Sequence, residues 1–220
     1  RQATSSSESM SALWLFVLHR MRDTADVSHA DVRNGAIANL FQVLVQYSSS
    51  LQPGDWRRVF FEILYPLCDA QPSHDADAAE WDTSRTLVVQ GTARIMQAIL
   101  PTLAEDPAFP QIWSMFLERI EQMYFYASAP VAQTALDSLL NVLRAPAAHS
   151  SLRPVWPETW ETWTRIGAAK RSDTSLTNLV TIVALLEPLY KALGPNLSSS
   201  ELQSLLHTCL LYTSPSPRDL

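Results

Sequence analysis

Apolar residues recur at helical spacing along nearly the whole chain, and no stretch of four or more residues alternates as a strand would. The chain is therefore expected to be all-α. Isolated helices of this length are marginal in water, so packing between them must supply the stability. The helices fall in pairs at intervals of about 40 residues, the signature of HEAT/armadillo-like solenoids, in which each hairpin buries its apolar face only against its neighbours. The expected fold is an α-solenoid of antiparallel helical hairpins; an irregular helical bundle is the alternative.

The pattern places a first helix over 13–21, after a Ser-rich start over 1–10 that is expected to be mobile. A second helix sets Ile37, Leu40, Phe41 and Leu44 on one face. After a Pro53-Gly54-Asp55 turn, a third carries the stripe Trp56, Val59, Phe60, Ile63, Leu64 and Leu67, with Pro66 expected to bend or end it. The segment AQPSHDADAAE reads as a polar loop, with Asp82, Thr83 or Ser84 capping a fourth helix that presents Val88, Gly91, Ile95 and Ile99. A fifth runs from about Pro110 with Trp113, Phe116, Leu117, Ile120 and Tyr124, and a sixth starts at Pro130 with Val131, Ala135, Leu139 and Val142. Beyond the connector APAAHSSLRP, a seventh holds Trp156, Trp160 and Trp163, and an eighth holds Leu176, Leu179, Val183, Leu186 and Tyr190. A ninth opens on the capping box Ser198-x-x-Glu201.

Composition removes several classes of function. The net charge is −6 with scattered basic residues, which lacks the electrostatic footprint of a nucleic-acid binder. Two cysteines, Cys68 and Cys209, cannot build a disulfide framework and lack metal-ligand spacing, which fits a reducing compartment. The longest apolar run, NLVTIVALLEPLYKAL, is broken by Glu187, Pro188 and Lys191, and no run approaches the roughly 20 residues of a membrane span. The chain opens on Arg1 and is read as an internal fragment. Its last residues, CLLYTSPSPRDL, offer Ser214-Pro215 and Ser216-Pro217 as phosphorylation sites, yet 209–219 match one reading frame of a transposase adapter used in short-read library preparation. Residues 209–220 are therefore expected not to be native, leaving a helical-repeat domain over 11–208.

The stretch DVRNGAIANLFQVL raises a question, because Gly35 in a helix costs about 1 kcal/mol relative to Ala. The expected answer is a HEAT-type ladder. Asp31 caps the helix, Arg33 reaches carboxylates or carbonyls of the adjacent repeat, and Gly35 with Ala36 lets a partner helix come close. An ordinary helix start with a surface Arg is the plainer alternative.

Catalytic motifs are absent from the sequence. The five histidines are scattered, neither His-x-x-x-His nor Cys-x-x-Cys occurs, and five glycines form no phosphate-binding loop. Cys68 reads as a small core hydrophobe, and HDADAAEWD as a solvated linker without the glycine and terminal glutamate of a calcium loop. No catalysis, metal or cofactor is expected. Trp156, Trp160 and Trp163 share one helix face, which suits packing better than an interface. Tyr124, Phe125 and Tyr126 are consecutive and cannot all point inward, so Tyr124 or Tyr126 is a candidate lining for a partner groove.

Several stretches together resemble the C-terminal region of the Mon-two (monensin-sensitivity) family of Golgi and endosome trafficking proteins, relatives of the large Arf guanine-nucleotide exchange factors. They are DVRNGAIANLF, WRRVFFEILYPLCD, EWDTSRTLVVQGTARI and, above all, WPETWETWTRIG followed by LVTIVALLEPLYKAL. Their order holds from about 13 to 207, and Trp160-x-x-Trp163-x-Arg165-Ile166-Gly167 is the most specific of them. The connector before that string is short where relatives often carry a long polar insert. The resemblance implies a cytoplasmic scaffold, peripheral on trans-Golgi and endosome membranes, acting with a Dopey-type protein and a phospholipid flippase and lacking the catalytic Sec-seven domain. Its rivals are the regulatory flank of an Arf exchange factor and an unrelated HEAT adaptor. Without a strongly basic amphipathic helix, membrane recruitment is expected to run through proteins.

Overall fold

The computed structural model describes residues 2–70, 78–169, 175–194, 197–199 and 203. Among these the fold is all-α, without a strand: α1 (Gln2–Ala25), α2 (Ala30–Gln46), α3 (Pro53–Arg58), α4 (Tyr65–Asp69), α5 (Ala78–Ala104), α6 (Phe109–Tyr126), α7 (Ala129–Leu143), α8 (Ala148–Ser151), α9 (Trp156–Ala168), α10 (Leu176–Ala184) and α11 (Leu186–Leu193). The chain divides into two compact units at 119/120, where the sequence pattern suggests one array. The ninth helix with its capping box at Glu201, and the adapter-like end 209–220, lie outside the described residues.

In the first unit, equivalent helices of successive hairpins lie parallel. Ser11 Oγ donates to Asp55 Oδ2 at 2.9 Å and His19 Nε2 sits 3.0 Å from Glu62 Oε2, so α1 runs alongside the 53–69 rod in one direction. Further along, the Tyr65 hydroxyl donates to the Ile112 carbonyl, and Arg119 Nη2 donates to Asp69 Oδ2 at 2.5 Å. Between α2 and α5, Arg33 meets Ser84 and Phe41 lies against Gly91, again in parallel register. Bonded partners stand 40 to 51 residues apart, which is the repeat expressed as contacts. This spacing matches the HEAT/armadillo period of about 40–47 residues better than the 34 of a tetratricopeptide repeat.

The rod 53–69 shows how one proline is accommodated. Pro53 occupies the first turn of α3, where its missing N–H costs nothing, and Gln52 with Asp55 forms a capping box. Pro66 does not end the helix, which carries on through it to Asp69. Instead Val59–Leu64 widen into a π-helical run in which the Tyr65 N–H reaches back to the Phe60 carbonyl. Proline cannot donate to the carbonyl four residues back, that of Glu62, and its ring would press on it. The wider turn relieves the crowding, and Arg22 Nη1 of α1 donates to the Glu62 carbonyl at 2.7 Å. The predicted stripe survives intact: Trp56, Val59, Phe60, Ile63, Leu64 and Leu67 are all buried.

Other boundaries differ from the sequence expectation. The first helix runs back to Gln2 through the Ser-rich start, because extending a formed helix is far cheaper than nucleating one. The fourth begins at Ala78, so Asp82, Thr83 and Ser84 lie inside it and do not cap it.

The second unit packs 120–126, α7, α9, α10 and α11 around Trp156, Trp160, Trp163, Leu139, Ile182 and Leu189. Its last hairpin corrects the predicted eighth helix in two ways. The helix breaks at Leu185 into α10 and α11. Its inward face is also Asn178, Thr181, Ile182, Leu185 and Leu189, while Leu176 is 76% exposed and Val183 and Tyr190 face out. An almost uniformly apolar helix offers no contrast from which to read its face; polar bonds decide it here. Ser175 Oγ caps the Asn178 N–H at 3.2 Å, and Thr181 Oγ1 donates to Asp137 Oδ1 on α7 at 3.1 Å. The stretch Leu176–Leu193 has the length and hydropathy of a membrane span, but it is interrupted at Leu185 and packed on α7 and α9.

Candidate functional site

Arg33 is the largest fully buried charged residue described in the first unit. It is 1% exposed although it sits one turn into α2, because α5 and the α1–α2 turn close over it. Its Nε donates to Ser84 Oγ at 2.7 Å, its Nη1 donates to the Val27 and Ser28 carbonyls at 3.1 and 2.8 Å, and its guanidinium lies 4.3 Å from the Trp81 ring centre. Ser84 Oγ donates onward to Asn34 Oδ1 at 2.6 Å. The predicted reach to carbonyls is present, but toward the turn of its own hairpin; the neighbouring hairpin supplies a hydroxyl and an indole. The Trp81 ring takes the place of a carboxylate as the electrostatic partner.

The rest of the predicted ladder is different. Asp31 does not cap α2: His29 is the cap residue, and Asp31 lies exposed in the first turn, where its charge suits the helix dipole. Gly35 is exposed, and a Cβ there would meet nothing within 4 Å, so no partner helix approaches it. The close approach belongs to Gly91, where a Cβ would overlap the Phe41 ring.

In the second unit, Trp160 and Trp163 are packing residues, 3% and 1% exposed, with ring centres 5.2 Å apart. The Trp163 indole N–H donates to the Ile182 carbonyl at 2.9 Å, tying α9 to α10. Arg165 grips Glu121 with two bonds, Nε to Oε1 at 2.5 Å and Nη2 to Oε2 at 3.1 Å, and this carboxylate raises the Arg165 pKa further. Of the consecutive aromatics, Tyr124 is wholly buried and Tyr126 is 86% exposed.

Among the described residues no group of three His, Cys, Asp or Glu side chains is placed to hold a metal. Cys68 is half-buried with its sulfur 3.9 Å from Thr92 Oγ1, and burial pushes the thiol up to about 12, far from nucleophilic at neutral pH. What the pattern of apolar residues does not reveal is a groove of about 510 Å³ between α2 and α5, floored by Ile37, Phe41 and Gly91 and rimmed by Gln42, Gln90 and Arg94. Its one signal in the sequence is Gly91 on an apolar stripe.

Comparison with known proteins places these features. Residues 14–170 match a family described as the GBF1-like tetratrico peptide repeat region. The chain is 21% identical over 189 residues to "Protein MON2 homolog" of Drosophila melanogaster, covering 70% of this chain and 11% of that protein. It is 20% identical over 218 residues to "Monensin-resistant homolog 2" of Caenorhabditis elegans, covering 79% of this chain and 13% of that protein. "Protein MON2" of Saccharomyces cerevisiae is 23% identical over 116 residues, 53% of this chain and 7% of that protein. The chain thus spans about a tenth of the length of the first two relatives. No solved structure matches.

Proposed function

Because the chain belongs to the family of the GBF1-like tetratrico peptide repeat region, we propose that it is a non-catalytic, protein-binding scaffold segment of a larger protein of Golgi and endosome membrane traffic. The observation that carries this reading is the repeat-region match over 14–170 together with MON2-named relatives aligned along most of the chain. The side chains support it. Arg33 and Arg165 hold helix to helix, and a thiol pushed up to about 12 is unreactive. A stack of hairpins offers an extended surface for partners. On this reading the protein is cytoplasmic and peripheral on trans-Golgi and endosome membranes, recruited through proteins such as a Dopey-type partner and a phospholipid flippase.

The family's GBF1-like description favours one second reading, the regulatory flank of an Arf exchange factor. Proximity labelling in cells separates the two, using the full-length protein with and without 11–208. The scaffold reading expects Golgi and endosome proteins to leave the labelled set while nucleotide exchange on Arf-class GTPases is unchanged. An intact labelled set with altered exchange supports the flank.

A further inference from the structure

We infer that the groove between α2 and α5 is the docking site for a helical segment of a protein partner, apolar along one face and carrying an acidic residue that meets Arg94. The inference rests on the scaffold reading and names the chemistry of one partner. The groove holds about 510 Å³, and the polar groups lining it are the amides of Gln42, Gln46 and Gln90 and the guanidinium of Arg94. No carboxylate lines it, although the chain carries a net charge of −6. Arg94 is exposed and makes no hydrogen bond or ion pair with the described residues. The groove is therefore a locally positive slot on a negative chain, and an acidic group complements it.

Its shape selects a helix. The α2 wall, residues 37 to 46, extends about 14 Å and the α5 wall, 87 to 94, about 10 Å at 1.5 Å per residue, room for two to three turns. The wall positions recur at intervals of three and four, the ridges into which a further helix packs. A helix satisfies its own backbone groups and needs from the groove only an apolar floor and side-chain contacts at its rim, which Ala38, Val45 and Leu87 with Gln42, Gln90 and Arg94 supply. Gly91 makes the slot hollow, because the space of its missing Cβ is where the Phe41 ring lies.

The test is selection from a displayed library of helical peptides against the whole 220-residue chain, with Arg94→Glu and Val45→Asp as separate variants. Both residues are exposed, and unchanged thermal unfolding establishes that each variant is folded. The expected consensus has apolar residues at i, i+3 or i+4, and i+7 with one Asp or Glu. Arg94→Glu is expected to weaken selected peptides about tenfold, Lys in place of the acidic residue to restore them, and Val45→Asp to weaken both. Peptides indifferent to both substitutions, a neutral or basic consensus, or no selected peptide would overturn the proposal. A concentration-dependent dimer dissociated by Val45→Asp would also overturn it, by making a second copy the occupant. Any of these with the proximity set still dependent on 11–208 removes the groove and leaves the scaffold reading standing.

Discussion

Arg33 brings a full charge into the first unit and forms no ion pair with the described residues, so its energetics rest on three hydrogen bonds and an indole face. Bonds to a charged group contribute about 1.5–3 kcal/mol each at most, and truncation strands the Val27 and Ser28 carbonyls. Arg33→Ala is expected to lower stability by about 3 kcal/mol in urea titration, against about 0.5 kcal/mol or less for Asp31→Asn, which loses only a dipole interaction. The Asp-x-Arg pattern made Arg33 legible, but not its depth of burial, because Ser84 and Trp81 stand about 50 residues away. The two glycines give opposite signs. Gly35→Ala is expected to stabilise by up to about 1 kcal/mol, since the site is open and helical. Gly91→Ala is expected to destabilise, since the Phe41 ring must move. Thermal unfolding of the two variants checks the contrast. The sequence pattern places the close approach at Gly35 and sets Gly91 only on an apolar stripe; the neighbouring helix reverses the two.

At the scale of the element, the 53–69 rod couples an imperfect helix to its neighbour. Arg22 supplies to the Glu62 carbonyl the bond that Pro66 cannot. Arg22→Ala is expected to cost about 1–2 kcal/mol, and less in a Pro66→Ala background, where a restored N–H can close an ordinary turn. A double-mutant cycle measures that coupling, and additive losses would refute it. Pro66 was readable as a disturbance; its repair was not, because it comes from a side chain on α1. In α9, Trp163→Ala is expected to cost about 3–5 kcal/mol, since the ring is 1% exposed and its N–H is bonded. Phe in its place keeps most of the volume and isolates the hydrogen bond to Ile182. The inward face of α10 was illegible for the reason that made the Trp face of α9 clear: contrast along a helix, not apolar content, carries the signal.

At the scale of the molecule, the hairpin architecture was legible because packing faces recur at helical spacing and partners at 40 to 51 residues. The groove was not, because a concavity belongs to two helices at once. The buried acids set an alkaline limit. Cys68 is raised from 9.0 to about 12 and Tyr65 is also raised, both chiefly by burial, so the folded state holds their protons more tightly than the unfolded chain. This contribution is full below about 9 and is lost as pH rises toward 12. Urea midpoints at pH 8 and 11 should show that loss, reduced in Cys68→Ala. On the acid side, the Arg58 bond, reinforced by His19, holds Glu62 below its ordinary 4.5, so this contribution is present above that value and fades as pH falls through the lowered one. Its half-exposed setting keeps the effect small.

Successive hairpins of the first unit are held together by side chains that reach 40 to 51 residues along the chain, and amide hydrogen exchange of the Arg33→Ala variant reads that coupling. Exchange is expected to quicken in 27–46 and in 78–90 together, the two segments that Arg33 joins through Ser84 and Trp81. Acceleration confined to α2, with α5 as protected as in the wild type, would show that Arg33 does not join the two helices.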